Sequence, residues 1–488
     1  MDDQPRYAES HHVKTKIIAT VGPAVDSEDL LRELVRSGVD IFRLNFAHGT
    51  HEWLTEVVGR IRTISADLGQ PLATLGDLSG PKIRLGQVCN DYVMCAAGEI
   101  YTFVEQPDPS DPYSLTCTYE QLLDDISPGD SILLADGTVR MLVREVHTSP
   151  RRAVCVVREG GLLRSRQGIN LPGVKLSTPS LTDKDCADLE WALQNEIDFI
   201  GLSFVRTAND IRDLKRRIEQ SPATHKPQVV AKIEKREAID NLEAILDETD
   251  AVMVARGDLG VETDIVQLPM LQKHIIRLCN QHRIPVITAT QMLDSMQANE
   301  RPTRAEASDV ANAVLDGSDA VMLSGETAIG LHPVQAVSIM SRIAREAELA
   351  VEIRKQGDSQ SEKRTHARVV TEAVTLGAST AAEDLNADLM VVATHSGKTA
   401  MAISKQRSPV PLLALTDQPE TARRMCLYWG VTPHLTDLVK ESPERLLKYV
   451  VEWGKRHGLL KTGSRLVLIG STQWSAEGHD MMLVHAVH

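Results

Sequence analysis

The sequence predicts a parallel (β/α)8 barrel that carries one inserted β module and is followed by a second α/β unit. Three observations predict it. Apolar, β-rich runs alternate with amphipathic helical stretches in two separated parts of the chain. Those parts supply three strands and five, which makes the eight of a closed barrel. The interruption between them is rich in turn signals and short period-two runs. Near-continuous apolar strands in βα alternation imply a parallel sheet covered by helices. An open doubly wound sheet is the alternative that periodicity alone leaves standing.

The first three strands are read at residues 14–20, 40–46 and 72–78, separated by helices near 27–37 and 50–68. From residue 198 the rhythm returns, with strands at 199–203, 228–233, 251–255, 285–288 and 320–323. Helices are read between them at 208–219, 236–246, 266–282 and 303–315, the last opening on Thr303 and Glu306 at capping-box spacing after Pro302. The insertion, 86–174, holds AAGE, SPGD, ADGT and EGG turns around alternating runs at 131–134, 138–143 and 153–157. Placed after the third strand, at the end of the barrel where chemistry sits, it is positioned to act as a lid. Residues 351–366 read as a polar linker. Beyond them α/β alternation resumes, with helices at 369–385, 398–406 and 421–428 and strands at 389–394, 411–415 and 465–469. The implied organisation is a tail, 1–12; a barrel, 13–85 and 175–350; a lid, 86–174; and a last domain, 351–488. The 488 residues suit about three domains of roughly 150 residues each.

Bulk properties narrow the partners. A net charge of −14 argues against a nucleic-acid or anionic-membrane surface, either of which needs a basic footprint. Seven scattered cysteines, with no CxxC and no zinc-type Cys/His spacing, read as reduced packing residues. No apolar run reaches the length of a membrane span, and the polar first dozen residues lack a signal-peptide core. The cytoplasm is the expected location.

The chemistry-bearing residues fall at C-terminal ends of the expected strands. Lys232 and Glu234, in AKIEKRE, are two apart, which on a strand puts both side chains on one face. Asp258, in ARGDLG, follows the next strand. Two carboxylates beside a lysine form a seat for Mg²⁺ or Mn²⁺ and an anionic oxygen, because Mg²⁺ takes few protein carboxylates and fills its shell with substrate oxygens and water. The plainer alternative is a structural salt bridge to Lys232. Arg43 and Asn45, in RLNFAHG, repeat the same-face spacing. Asp77 and Arg84 follow the third strand in GDLSGPKIRLG, where the turn at Gly80 and Pro81 sends Arg84 toward the insertion. A single arginine at such a place is more often solvated or ion-paired; here two arginines and a lysine converge with two metal-type carboxylates. Thr288 and Thr290 end the seventh strand in TATQMLDSM, although a lone threonine there is usually a helix cap.

The segments RLNFAHG, GDLSGPKIR, GINLPG, KIEKREAI, VARGDLGVE, TATQMLDSM and ERPTRAEASDVANAVLDGSDAVMLSGETA are similar, in this order, to the motifs of pyruvate kinases. The resemblance covers the barrel completely, the insertion mainly through ADG and GINLPG, and the last domain more loosely. It implies a TIM barrel, a small β-barrel lid and an α/β regulatory domain, usually in a homotetramer. It also implies phosphoryl transfer from phosphoenolpyruvate to ADP, giving ATP and pyruvate, with Mg²⁺ or Mn²⁺. Carried over residue by residue, Glu234 and Asp258 match metal ligands, and Lys232 matches the lysine at the transferring phosphoryl group and developing enolate oxygen. Arg43 matches the phosphate-binding arginine. Gly257 and Thr290 match substrate contacts, Thr290 near the proton delivered to the enolate. Asn45, His48 and Arg84 match nucleotide-side positions.

Three departures matter. Many family members hold K⁺ with an Asn, a Ser, an Asp and a Thr; here Asn45 and Asp77 remain, but Ala47 and Leu78 offer no side-chain oxygen. Lys82 stands where K⁺-dependent members carry Glu, so the expectation is an enzyme that needs no K⁺, with the Lys82 ammonium as substitute; the plainer reading is an exposed surface lysine. Gln167 stands where many members have a nucleotide-contacting lysine, which removes one lid-side cation. In the last domain, residues 394–400 (THSGKTA) follow a strand and open a helix. Thr394, Ser396, Gly397, Lys398 and Thr399 are expected to hold a phosphate of a sugar or nucleotide effector. The loop is not a Walker A motif, since Val392 stands where that motif needs Gly. Two rivals remain: another metal-dependent barrel acting on phosphoenolpyruvate or pyruvate, and a sensor that has lost catalysis.

Overall fold

The computed structural model describes residues 13–106, 111–355, 369–471 and 479–488. The tail 1–12 lies outside these residues, as does 356–366 of the expected linker. Residues 351–355 of that linker instead continue a helix, Pro333–Lys355.

Eight parallel strands close into a barrel: Lys16–Thr20, Val39–Asn45, Ala73–Asp77, Phe199–Leu202, Gln228–Ile233, Ala251–Ala255, Val286–Ala289 and Ala320–Leu323. Burial on both faces explains their continuous apolar runs. Ile18, Ile41, Leu75, Phe199, Val230, Met253, Ile287 and Met322, one from each strand, share one buried cluster, while Ile17, Phe42, Ile200, Val229, Val252, Val286 and Val321 join the cluster under the helices. The surrounding helices start on local chemistry. Thr303 and Glu306 form the expected capping box, and Thr182 with Asp185 forms another for a helix, Asp183–Gln194, that the sequence reading does not place. The stretch 236–246 is two short helices, Arg236–Asp240 and Leu242–Leu246, broken at Asn241.

The even-numbered strands share a device at their base. Asp40, Asp198, Asp250 and Asp319 each accept a backbone N–H from the preceding odd strand: Ile17 at 2.9 Å, Thr74 at 2.9 Å, Val229 at 2.8 Å and Val286 at 2.7 Å. Three of the four sit against the last domain. Arg423 reaches Asp198 at 2.6 Å, and Lys405 and Arg407 reach Asp319 at 2.6 and 3.0 Å. Lys16, beside Asp40 at 3.7 Å, donates to the Val431 carbonyl at 2.8 Å.

The insertion is a six-stranded sheet plus a two-stranded ribbon around one apolar core, which includes Ile83 and Leu85. The chain therefore enters it just after the Gly80 turn, whose φ of 64° only glycine adopts easily. The last domain has five strands in the order Val431–Leu435, Leu412–Thr416, Leu389–Ala393, Arg465–Gly470 and Met481–Ala486. All pairs are parallel except the last. Among the described residues no helix is long and apolar enough to cross a membrane.

Candidate active site

Strand parity carries side chains from the barrel interior to its mouth. Two residues beyond Ile18, Ile41, Leu75 and Val230 stand Thr20, Arg43, Asp77 and Lys232, on the same face. These side chains meet. Arg43 donates to Asp77 Oδ2 from Nε at 2.8 Å and from a terminal nitrogen at 2.5 Å, and a second terminal nitrogen reaches Thr20 Oγ1 at 3.2 Å. Lys232 Nζ lies 3.2 Å from Asp77 Oδ1 and 3.0 Å from Glu234 Oε1, and donates to Ser203 Oγ at 2.6 Å. Glu234 Oε2 accepts the Phe204 amide at 2.7 Å. Phe204 adopts φ 53°, an unfavourable region for a bulky side chain, at the point where its N–H meets Glu234.

Electrostatics follow from this crowding. Burial works to raise the Asp77 carboxyl, but the Lys232 and Arg43 charges outweigh it and hold it below the usual range. Burial works to lower the Lys232 ammonium, yet Asp77 and Glu234 push it above its ordinary value, so Lys232 is a fixed cation and not a base. Burial, joined by the neighbouring Asp258, pushes Glu234 up despite Lys232. A divalent cation held by Glu234 and Asp258 would offset both the burial and the mutual repulsion of their charges. Among the described residues no three His, Cys, Asp or Glu side chains form a closed cage. Two carboxylates in an open mouth suit Mg²⁺, which keeps positions for water and substrate oxygens.

Asp258 and Gly257 lie on a short helix, Arg256–Glu262, directly after the sixth strand, which the glycines of ARGDLG hide from the sequence. The Gly257 amide donates to Thr290 Oγ1 at 2.8 Å, and that hydroxyl donates to the Ala289 carbonyl at 2.7 Å. Thr290 sits at φ 65°, held by Arg256, whose buried guanidinium reaches the Thr290 carbonyl at 2.8 Å and Asp309 at 2.6 Å. The other expected residues are placed as follows. Asn45 turns its Oδ1 to the Ala47 amide at 3.1 Å, and His48 is exposed next to it. Asp77, expected beside a monovalent cation, is engaged by Arg43 and Lys232. Leu78 is fully buried. Lys82 is exposed and lines the cleft where lid meets barrel, with Arg206, Lys235 and Asp258. Arg84 leaves the barrel as expected and donates to the Arg166 carbonyl in the lid at 3.2 Å. Gln167 closes its own turn, its Oε1 accepting the Arg164 amide at 2.7 Å. A wider groove of about 770 Å³ lies on the barrel flank between two helices and contains none of these residues.

In the last domain, Thr394 Oγ1 accepts the Gly397 amide at 3.1 Å and Thr399 Oγ1 meets His479 Nδ1 at 2.7 Å. One hydroxyl closes the loop and the other ties it to His479, which leaves His395, Ser396 and Lys398 as its exposed polar side chains, with His395 Nδ1 3.1 Å from Asp417 Oδ1.

Sequence reasoning did not single out Ser203, Phe204, Arg256, Lys235 or Glu262. Each acts through a partner distant in the chain, which spacing along the sequence does not reveal.

Comparison with known proteins accords with this geometry. Residues 12–337 match the pyruvate kinase barrel domain and residues 372–485 the pyruvate kinase alpha/beta domain. The chain is 43% identical to pyruvate kinase 2 of Synechocystis sp. over 97% of its length and 79% of that protein's. It is 41% identical to the pyruvate kinase of Geobacillus stearothermophilus, over 97% of this chain and 80% of the relative. A crystal structure of a pyruvate kinase from Cryptosporidium parvum superposes with a TM-score of 0.88 at 33% identity, covering 98% of this chain and 97% of that one. With its barrel and its last domain both matched in this way, the chain belongs to the pyruvate kinase family.

Proposed function

We propose that this chain transfers the phosphoryl group of phosphoenolpyruvate to ADP, giving ATP and pyruvate, at the barrel mouth and in the cytoplasm. The observation that carries this reading is the junction of Arg43 and Lys232 on one buried aspartate, with Glu234 and Asp258 beside it. A loose phosphoryl-transfer transition state spreads charge over its equatorial oxygens, so preplaced cations supply most of the catalysis. Arg43 presents a planar fork of donors for the phosphate. Lys232, locked by Ser203, Asp77 and Glu234, faces the oxygen that gains charge. Glu234 and Asp258 hold the divalent cation, Mg²⁺ or Mn²⁺, which supplies Lewis-acid charge stabilisation when bound. Gly257 and Thr290 border the substrate, and the Thr290 hydroxyl, which accepts from the Gly257 amide and donates to the Ala289 carbonyl, lies on the enolate side. Asn45, His48, Arg84 and Gln167 line the nucleotide side between barrel and lid. The test is pyruvate formation from phosphoenolpyruvate with and without ADP and Mg²⁺. Activity that persists without ADP, or none under any condition, refutes the reading.

The enzyme works without K⁺. Ala47 and the buried Leu78 remove two cation-holding oxygens, and Lys82 lines the same cleft as Asp258. This is the reading of Lys82 as the resident substitute for a monovalent ion. Rates in tetramethylammonium buffer are expected to match those in KCl, and Lys82→Met is expected to lower the rate without recovery on adding K⁺. A strict K⁺ requirement in the parent sinks the idea.

A phosphorylated sugar or nucleotide activates the enzyme at the loop 394–400, with Ser396 and Lys398 as its exposed contacts. Titrating sugar phosphates and AMP is expected to shift the phosphoenolpyruvate saturation curve to lower concentration, and Lys398→Ala to abolish the shift. No response to any of them counts against the site. Assembly as a homotetramer is supported by the exposed apolar residues Ile265, Val266 and Met270 on the barrel and Met482 and Val484 on the edge strand.

A further inference from the structure

The seat of the divalent cation has an outer layer that joins it to the lid. Glu234 and Asp258 come from the ends of neighbouring strands, and residues next to them in the chain pair with one another. Lys235, directly after Glu234, donates to Glu262 Oε1 at 2.7 Å. Glu262 stands one helical turn after Asp258 on the short helix Arg256–Glu262. Both side chains are withdrawn from water, 12% and 2% exposed. The same Oε1 accepts from Asn170 Nδ2 at 3.1 Å, and Asn170 belongs to the lid-sheet strand Ile169–Asn170. The Lys235 ammonium also lies 5.9 Å from the centroid of the Phe204 ring, and Phe204 is the residue whose amide is fixed on Glu234.

We propose that Lys235 and Glu262 are positioning residues that set the separation of Glu234 and Asp258, and that Asn170 ties the lid to them. The inference rests on reading Glu234 and Asp258 as the divalent-cation ligands. Its physical basis is the placement of the pair. A buried ion pair rarely stabilises a fold more than apolar residues of the same shape would. This one bridges the strand-end loop after Glu234 and the helix that presents Asp258. Without it, this bridge between the two ligand-bearing segments is lost, and neither is held at its distance from the other by Glu262. Because Glu262 shares one oxygen between the ammonium and the lid amide, a shift of the lid is felt at the same atom that holds the two ligands in register.

The test measures Mn²⁺ binding directly, by electron paramagnetic resonance on the full-length protein without substrates. Lys235→Met and Glu262→Gln are expected to weaken Mn²⁺ binding about tenfold, the lower end of the effect of residues that orient metal ligands. Lys235→Arg, which can still pair with Glu262, is expected to stay within about twofold of the parent. Asn170→Ala, at the edge of the lid, is expected to leave Mn²⁺ binding intact and to raise KM for ADP by roughly tenfold, as loss of a hydrogen bond to a charged group does. If Glu262→Gln does not fold, Lys235→Met carries the same test from the more exposed partner. Folded Lys235→Met or Glu262→Gln protein that binds Mn²⁺ like the parent overturns the positioning role. An unchanged KM for ADP in Asn170→Ala overturns the tie to the lid. Glu234→Gln and Asp258→Asn separate this failure from a deeper one. If they abolish Mn²⁺ binding while the outer-layer variants do not, only this inference falls; if they too bind normally, the functional reading falls with it.

Discussion

Lys232→Met is expected to lower kcat for pyruvate formation by a factor on the order of 10²–10³, the usual effect of removing one positioned charge from a transition state. The same change strips the counter-charge from two carboxylates that are nearly without solvent, Asp77 at 1% exposure and Glu234 at 1%. Breaking a buried ion pair from one side costs about 3–5 kcal/mol in stability. The variant should therefore unfold at lower denaturant concentration than the parent as well as turn over slowly. Lys232→Arg is a sharper probe. It keeps the charge but replaces a compact ammonium, held at three short contacts, by a planar fork that does not fit them. Most of the rate loss should remain. Steady-state rates at saturating substrate together with urea unfolding curves check both parts, and a Lys232→Met enzyme as fast as the parent rules out the proposed role.

The second large effect is expected at the carboxylate pair. Glu234→Gln and Asp258→Asn each remove one of the two proposed protein ligands, so activity should fall by at least a factor on the order of 10² at Mg²⁺ concentrations that saturate the parent. Excess metal should recover part of the loss for Asp258→Asn. Asp258 is the more open of the two, at the start of a short helix, and its replacement leaves the surrounding bonds in place. Recovery should be poorer for Glu234→Gln. There both the Lys232 contact and the Phe204 amide bond are directed at a carboxylate, and a side-chain NH₂ in that position meets one donor or the other. A Mg²⁺ titration of both variants distinguishes these outcomes. Equal activity in variants and parent would remove the basis for the metal assignment.

The barrel was legible in the sequence because burial on both faces writes each strand as a plain apolar run. Its strands begin and end within two residues of where periodicity places them, as at Gln228–Ile233, Ala251–Ala255 and Ala320–Leu323. The residues at the mouth were legible for a related reason. Period two ties Lys232 and Arg43 to the interior face that Val230 and Ile41 occupy, so their direction follows from the strand itself. What the chain did not display is who meets whom across strands. Glu262 lies 27 positions from Lys235 and 92 from Asn170, and no local pattern links the three. The left-handed backbone at Phe204 and Thr290 is likewise invisible, because neither residue type favours it. In the last domain, two strands escaped for opposite reasons. Val431–Leu435 contains Pro433, which speaks against a strand but is tolerated at a sheet edge, and Met481–Ala486 is an edge strand whose histidine dilutes its apolar alternation.

The aspartates at the barrel floor divide the ring into four two-strand staves, each pinned at its lower end by one carboxylate. Burial opposes the charge on Asp198, but Arg62 and Arg423 hold its carboxyl below the ordinary range. Its contribution is therefore complete above the unfolded value, near pH 4, and fades as acid carries the solution down through the lower folded value. As the Asp198 carboxyl takes up its proton, the bonds it accepts from the Thr74 amide and from Arg423 weaken together. Hydrogen exchange at Thr74 should accordingly speed up as acid is added, and the mooring of the last domain at Arg423 should loosen with it.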